Sequence, residues 1–349
     1  MKTIEIGSRK IGDKHPAFII AEISGNHLQD FELAKKTIQA AHEAGVDAVK
    51  LQTYTPDTIT IDCDNEYFQI TQGTIWDGIT LYQLYEKAFT PWEWQPQLKK
   101  YAEDLGLICF SSPFDITAVD FLETLDVQAY KVASFEITDI PLIEYIATKN
   151  KPMIISTGIA TPDDIEDAIK ACRKSGNDDT ILLKCTSAYP TPLNEVNLRT
   201  MPDMAIKFDT LVGLSDHTLS ISVPIAAIAL GACCVEKHLI LDRSLGGPDA
   251  AFSLEPLEFK KMVEAIRDVE EALGEVNYSL TEHAKKSREH SRSLFVTEDM
   301  KKGEVFSSKN VRSIRPGHGL PPKHLKEVIG KKAKMDIERG TPLKWELIE

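Results

Sequence analysis

Met153-Ile154-Ile155-Ser156-Thr157-Gly158-Ile159-Ala160-Thr161-Pro162-Asp163-Asp164 (153–164) is the stretch from which the fold can be read. A short apolar run ends in hydroxyl residues and glycine, as a buried parallel strand would. Thr161-Pro162-Asp163-Asp164 then offers a capping threonine, a proline in the first helical turn and a carboxylate that can close a capping box. Strand, short loop and helix start thus follow one another within a dozen residues.

Working outward, the same unit recurs. Strands are expected at Phe18–Ser24, Ala48–Thr53, Ile108–Pro113, Ala129–Ser134, Met153–Gly158, Ile181–Thr186, Leu211–His217 and Cys233–Leu241. Each is nearly continuous in apolar character and is followed by a helical segment, the last being Leu257–Leu273. Thr90-Pro91-Trp92-Glu93 reads as another capped helix start. Eight βα units over residues 17–275 match the roughly 250 residues of a (β/α)8 barrel, a TIM barrel. A doubly wound open sheet more often uses fewer strands and is the structural alternative.

Two regions break the rhythm. Residues 54–89, between the second strand and its helix, are far longer than a βα loop of about 2–6 residues. With Gly73-Thr74-Ile75-Trp76-Asp77-Gly78 and Leu81-Tyr82-Gln83-Leu84-Tyr85 it reads as a substrate-covering excursion, or as one packed on itself. The division expected is a catalytic barrel over 1–275, a polar linker over 276–290 and a small β-rich domain over 291–349. In the last, Ser293–Thr297, Val305–Phe306, Val311–Ile314 and Pro342–Leu347 are strand candidates.

A chain of 349 residues with 42% hydrophobic content can bury a full core, which argues against disorder. The net charge of −13 argues against a nucleic-acid partner and against a polybasic membrane surface. No apolar run approaches the roughly 20 residues of a membrane span, and Met1-Lys2-Thr3-Ile4-Glu5 opens no signal region, so a cytoplasmic location is expected. The six cysteines lack Cys-x-x-Cys spacing and read as reduced core residues.

In such a barrel the C-terminal strand ends face the active site. Those ends carry Glu22, Ser24, Asn26 and His27; Lys50 and Gln52; Ser111 and Ser112; Lys131, Ser134 and Glu136; and Ser156-Thr157-Gly158. The remaining ends carry Lys184, Thr186, Ser187 and Tyr189; Ser215-Asp216-His217; and Glu236-Lys237-His238. Lysine is costly to bury without a negative partner, which makes Lys50, Lys131 and Lys184 candidates for phosphate or carboxylate oxygens, with Ser134, Ser156 and Ser215 completing an anion cradle. The alternative is a structural ion pair with Glu22, Glu136 or Glu236. His217 and His238 end adjacent strands and can share a divalent cation with open coordination positions, Mn²⁺ or Mg²⁺ being suitable; a lone histidine would more often be structural. Asp249, in Gly246-Gly247-Pro248-Asp249, either accepts sugar hydroxyls or simply makes a turn.

Taken in order, these motifs resemble the sialic-acid synthase family. The match is carried by Ala21-Glu22-Ile23 with Asn26-His27, Val49-Lys50-Leu51-Gln52-Thr53, Tyr130-Lys131-Val132-Ala133-Ser134, Ser156-Thr157-Gly158, Gly213-Leu214-Ser215-Asp216-His217-Thr218 and Glu236-Lys237-His238. The tail, with Arg292-Ser293-Leu294 and Arg315-Pro316-Gly317-His318-Gly319, resembles that family's antifreeze-protein-like (SAF, β-clip) domain. Gly73–Gly78 and Thr90-Pro91-Trp92-Glu93-Trp94 look most like the members whose acceptor is 2,4-diacetamido-2,4,6-trideoxy-L-altrose.

The resemblance implies a transferase that joins phosphoenolpyruvate to an N-acylated amino-hexose. It implies that phosphoenolpyruvate is held by Lys50, Ser112, Lys131, Ser134, Ser156, Ser187 and Ser215. A divalent metal (Mn²⁺, with Mg²⁺ or Co²⁺ as alternatives) would fall to His217 and His238, and the sugar to Glu22, Glu136, Tyr189 and Asp249. Lys50 and Lys131 would stabilise charge during the reaction while Glu136 or Glu22 helps water attack. Arg315 would reach an N-acyl group in the partner subunit's site, making a domain-swapped homodimer the expected assembly. Acceptors of neuraminate or legionaminate synthesis, phosphorylated aldoses, and a carbohydrate-binding protein with an inert barrel are the rival readings.

Overall fold

The computed structural model describes residues 2–12, 14–71 and 73–349. Two short strands precede the repeating part of the chain: β1 (Ile4–Ile6) and β2 (Arg9–Ile11) form an antiparallel hairpin around Gly7 and Ser8. This hairpin is absent from the sequence reading. Ile4, Ile6 and Ile11 are buried in the barrel's own core, and Gly7 lies against Ile108, the first residue of a barrel strand, so the hairpin sits at the strands' N-terminal end.

The barrel strands are β3 (Phe18–Glu22), β4 (Ala48–Thr53), β5 (Ile108–Pro113), β6 (Tyr130–Val132), β7 (Met153–Ser156), β8 (Thr180–Lys184), β9 (Leu211–Asp216) and β10 (Cys234–His238). All neighbours pair in parallel, and β10 closes on β3 with Cys234 opposite Phe18 and His238 opposite Glu22. This closed ring excludes the open sheet. Every strand residue is buried except Gln52, Ile108 and Lys184. Continuous burial is what helices on the outer face and packed side chains within require.

Helices follow the strands in turn, among them Phe31–Ala44, Pro162–Lys174 and Pro256–Leu273. In Pro162–Lys174 the buried positions Ile165, Ala168, Ile169 and Cys172 form one helical stripe, and burying each large apolar side chain contributes about 1.5–3 kcal/mol. Thr161 caps that helix with the full capping box. The second expected start behaves differently. Thr90 caps nothing; its hydroxyl meets His27 Nε2 at 3.0 Å, because the buried imidazole needs a partner. Trp92–Trp94 forms a 3-10 turn, and the helix proper is Gln95–Asp104.

Expected strands that extended to Ser24, Ser134, Gly158, Thr186, His217 and Leu241 end at Glu22, Val132, Ser156, Lys184, Asp216 and His238. Beyond these ends pairing is reduced to single contacts, such as Leu239 bridging Leu254 and the Thr157 N–H donating to the Leu183 carbonyl at 3.1 Å. The excursion at 54–89 packs on itself through helices Pro56–Ile59 and Leu81–Ala88 and a bridge between Gln69 and Thr80.

The chain divides into two compact units, Met1–Gly274 and Glu275–Glu349. The second begins with the stretch expected as a linker, which contains the helix Glu282–Arg288 capped by Thr281. It then pairs β11 (Ser293–Val296) with β12 (Val311–Ile314) over a core that includes Leu294, Phe306, Val328 and Leu343. The expected strands at Val305–Phe306 and Pro342–Leu347 reduce to single bridges from Val305 to Lys332 and Pro342 to Phe295.

Candidate active site

Side chains alternate along a strand, so only every second polar residue at a strand end can face the barrel axis. Lys50 and Gln52, Lys131, Ser156, Ser215 and His217, and Glu236 and His238 take the inward positions and line one cavity of about 310 Å³. Ser134, Glu136, Cys185, Tyr189 and Asp249 join them from the segments beyond the strands. The excursion adds Tyr54, Ile59, Trp76, Leu84, Tyr85 and Ala88, so it covers this cavity as well as packing on itself.

The intervening residues point elsewhere. Lys237 is fully buried against Asp216 at 2.5 Å, and Asp216 also accepts from Thr218, so this pair is structural. Lys184, proposed from sequence as an anion ligand, is turned to the Cys185 carbonyl at 2.6 Å and Thr186 Oγ1 at 3.2 Å, away from the cavity wall. Asn26 donates to the Leu239 carbonyl and Ser253 Oγ, both at 2.9 Å, and His27 is bound to Thr90. These two fasten the first loop to the rim.

The floor is a ring of cations and hydroxyls. Lys50 Nζ pairs with Glu22 and donates to Ser112 Oγ at 3.2 Å. Lys131 Nζ donates to Ser156 Oγ at 2.7 Å and to the Val132 carbonyl at 3.3 Å. Glu236 Oε1 lies 3.6 Å from both ammonium groups. Burial alone would lower Lys50, but Glu22 and Glu236 hold it above the ordinary lysine range. Burial does lower Lys131 despite Glu236. Beside them the Gly158 N–H donates to Ser134 Oγ at 3.1 Å. A Cβ at Gly158 would lie 2.2 Å from Ser187 Oγ and 2.7 Å from Ser134 Oγ, and the Ser187 hydroxyl is buried without a hydrogen-bond partner. Glycine keeps open the space these hydroxyls surround.

Above the floor stand the imidazoles. The His217 and His238 rings are 5.3 Å apart, centroid to centroid. His217 Nδ1 faces the Thr186 carbonyl at 3.2 Å, and although burial would lower the ring, Cys185 and that carbonyl hold it above the ordinary histidine range. His238 Nδ1 is buried with no partner, and burial together with neighbouring His217 and Lys50 holds the ring neutral. Once His217 gives up its added proton, the two imidazoles can together hold a divalent cation that takes its other ligands from water or substrate. Among the described residues no group of three or more His, Cys, Asp or Glu could hold a metal ion by itself.

Tyr189 packs on His217 at 4.5 Å, Phe252 at 5.0 Å and Trp76 at 5.6 Å. Asp249 accepts from Ser24 Oγ and from the Gly25 N–H at 3.3 Å. Gln52 Nε2 donates to Glu22 Oε1 at 3.2 Å and Ser24 Oγ at 3.0 Å, joining the floor to this rim. Burial lifts Glu22 to about 7 against the pull of Lys50, and lifts Glu136 to about 7 against that of Lys131. Arg315 is exposed and lies on the second unit.

Glu236, one of the ion-pair partners expected from the sequence, is the carboxylate common to both lysines. Two features went unread in the sequence. The aromatic wall of Tyr54, Trp76 and Phe252 needs the excursion to fold back. Cys185 is not core filler: it lines the cavity 3.9 Å from His217 Nδ1, and although burial would raise its thiol, the imidazole brings it down to about 7. Alternation from outward-facing Lys184 would have placed it there.

Comparison with known proteins agrees with this arrangement. The pattern of the NeuB family matches residues 37–278, and that of the SAF domain matches 291–349. A pseudaminic acid synthase of Campylobacter jejuni is 48% identical over 327 residues, covering 94% of this chain and 95% of that protein. A pseudaminic acid synthase of Helicobacter pylori is 47% identical over 335 residues, covering 96% and 98%. Among solved structures, the spore coat polysaccharide biosynthesis protein spsE of Bacillus subtilis is 32% identical with a TM-score of 0.68, covering 100% of this chain and 99% of that one. The N-acetylneuraminic acid synthetase of Leptospira borgpetersenii, solved with citrate, is 30% identical with a TM-score of 0.73, covering 82% and 95%. With both of its units matched in order, and a barrel whose strand ends converge on one polar cavity, the chain belongs to the NeuB family.

Proposed function

We propose that the chain makes pseudaminic acid, condensing phosphoenolpyruvate with 2,4-diacetamido-2,4,6-trideoxy-L-altrose and water and releasing inorganic phosphate. The observation that carries this reading is the convergence of Lys50, Lys131, Ser134, Ser156 and Ser215 with the imidazoles of His217 and His238 in one cavity. Full-length similarity to pseudaminic acid synthases supports the choice of acceptor.

Phosphoenolpyruvate sits on the floor, its phosphate and carboxylate oxygens accepting from Lys50, Lys131, Ser134, Ser156, Ser187 and Ser215, while Ser112 orients Lys50. The open-chain sugar lies above it against Tyr189, Asp249, Glu136 and Glu22. A divalent ion held by His217 and His238, Mn²⁺ by preference, would polarise the aldehyde oxygen. The methylene carbon of phosphoenolpyruvate forms a bond to the aldehyde carbon, whose oxygen takes up a proton, and positive charge develops at C2. Water adds there, losing a proton to Glu136, whose raised affinity suits a base near neutral pH. The bond from C2 to the phosphate oxygen then breaks, phosphate leaves with that electron pair and takes up the proton of the new C2 hydroxyl, and a nine-carbon 2-keto acid results. The lysines stabilise the anionic groups throughout.

The working assembly is a homodimer in which the partner subunit's Arg315 reaches the N-acyl group. Charge supports such pairing: residues 1–274 hold 24 Lys and Arg against 42 Asp and Glu, whereas 275–349 hold 16 against 11. Dependence on phosphoenolpyruvate favours the cytoplasm, and among the described residues no helix is long and apolar enough to cross a membrane.

Incubation with phosphoenolpyruvate, Mn²⁺ and a panel of N-acetylmannosamine and diacetamido-trideoxy hexoses should release phosphate fastest with the L-altro acceptor. Water labelled with ¹⁸O should mark the keto acid, not the phosphate. Silence with every acceptor would leave an inert binding barrel, and preference for a phosphorylated aldose would point to synthesis of shorter keto-sugar acids.

A further inference from the structure

Glu236 takes no step in that reaction, yet it occupies the centre of the cradle. Its Oε1 is 3.6 Å from Lys50 Nζ and 3.6 Å from Lys131 Nζ, its side chain is buried in the cavity wall, and its Oε2 has no hydrogen-bond partner. Lys50 already has a counter-ion in Glu22, so neutralising that lysine does not require a second carboxylate. A fixed negative charge there also works against the ligand, because it repels an incoming polyanion over the same distances at which the lysines attract it.

Taking the phosphoenolpyruvate reading as its basis, we propose that Glu236 is a positioning residue that holds the two ammonium groups side by side and limits how tightly the cradle grips a polyanion. The limit matters at the end of each cycle. Inorganic phosphate is produced on the same lysines that bound the substrate, and a cradle of unopposed cations would retain it. Glu236 lets the site accept a trianion while bound metal and sugar add their own contacts, and then release the smaller anion once those contacts are gone.

The test compares the full-length protein with E236Q, which keeps the shape and removes the charge, and with the smaller neutral E236S. Inorganic phosphate and phosphoenolpyruvate are titrated by calorimetry in EDTA, and steady-state kinetics follow with Mn²⁺ restored. Both neutral variants should bind phosphate roughly tenfold tighter or more, as the loss of one nearby charge implies. KM for phosphoenolpyruvate and kcat should fall together as release slows. E236D, which keeps the charge, should return phosphate affinity to within about threefold of the native value. Phosphate affinity that is unchanged or weaker in both neutral variants, with native-like thermal unfolding, would overturn the proposal and leave Glu236 as a structural counter-ion. Failure of the native protein to bind either anion would instead remove the phosphoenolpyruvate reading, and this inference with it.

Discussion

Gly158 is closely hemmed by the hydroxyls of the cradle. Its φ is outside the left-handed region, so alanine would be tolerated by the backbone, but the added Cβ would lie 2.2 Å from Ser187 Oγ and 2.7 Å from Ser134 Oγ. G158A should therefore fold normally while raising KM for phosphoenolpyruvate by about a hundredfold, as expected when close packing displaces several hydrogen-bond donors at once. A native KM would show that the anion sits elsewhere. Glu136 gives the pH dependence. Burial lifts its carboxyl to about 7; below that pH it keeps its proton and cannot accept one from water, and above it the base is free. kcat should rise with pH through about 7 and then level, and E136Q should lose both the acid limb and most turnover. Glu22 is also lifted to about 7, so an acid limb that survives in E136Q would transfer the role to it. Replacing His217 or His238 by alanine should abolish Mn²⁺ dependence together with turnover, and full activity in metal-free protein would remove the metal from the scheme. Much of this site was legible as a set of polar strand ends. Strand alternation sorts that set further, separating inward Lys50, Lys131 and Glu236 from outward Lys184, Asp216 and Lys237, whereas the ion pairing of Lys237 with Asp216 required coordinates.

Among the elements, the 54–89 excursion supplies much of the aromatic side of the cavity. Trp76 Nε1 donates to the Pro248 carbonyl at 2.8 Å, and its ring packs on Tyr189 and Phe252, tying the excursion to the loop that carries Asp249. W76A should raise KM for the sugar by about tenfold and leave that for phosphoenolpyruvate unchanged, since buried aromatic contacts of this kind contribute about 0.5–1.5 kcal/mol each beyond area. Equal effects on both substrates would mean that the whole site had loosened. Thr161 caps its helix without lining the cavity, so T161A should cost about 1 kcal/mol of stability without changing kcat. The eight βα units were readable because each strand is buried on both faces and each helix keeps its stripe. The β1–β2 hairpin escaped notice because three-residue strands offer only one alternation, Ile4 and Ile6 around Glu5, and the bridges of the second unit are shorter still.

At the scale of the molecule, charge is unevenly divided between the acidic barrel unit and the basic second unit. Light scattering should give twice 38.9 kDa, and R315A should lower activity towards the N-acylated acceptor without dissociating the pair. A fully active monomer would remove Arg315 from the site. The hairpin at the strands' N-terminal end has a kinetic consequence. Ile4, Ile6 and Ile11 seal apolar core at that end, opposite the strand ends that line the cavity. With the lysines earlier along their strands than the imidazoles, an ordered queue is expected, and product-inhibition patterns should show phosphate competing against phosphoenolpyruvate alone.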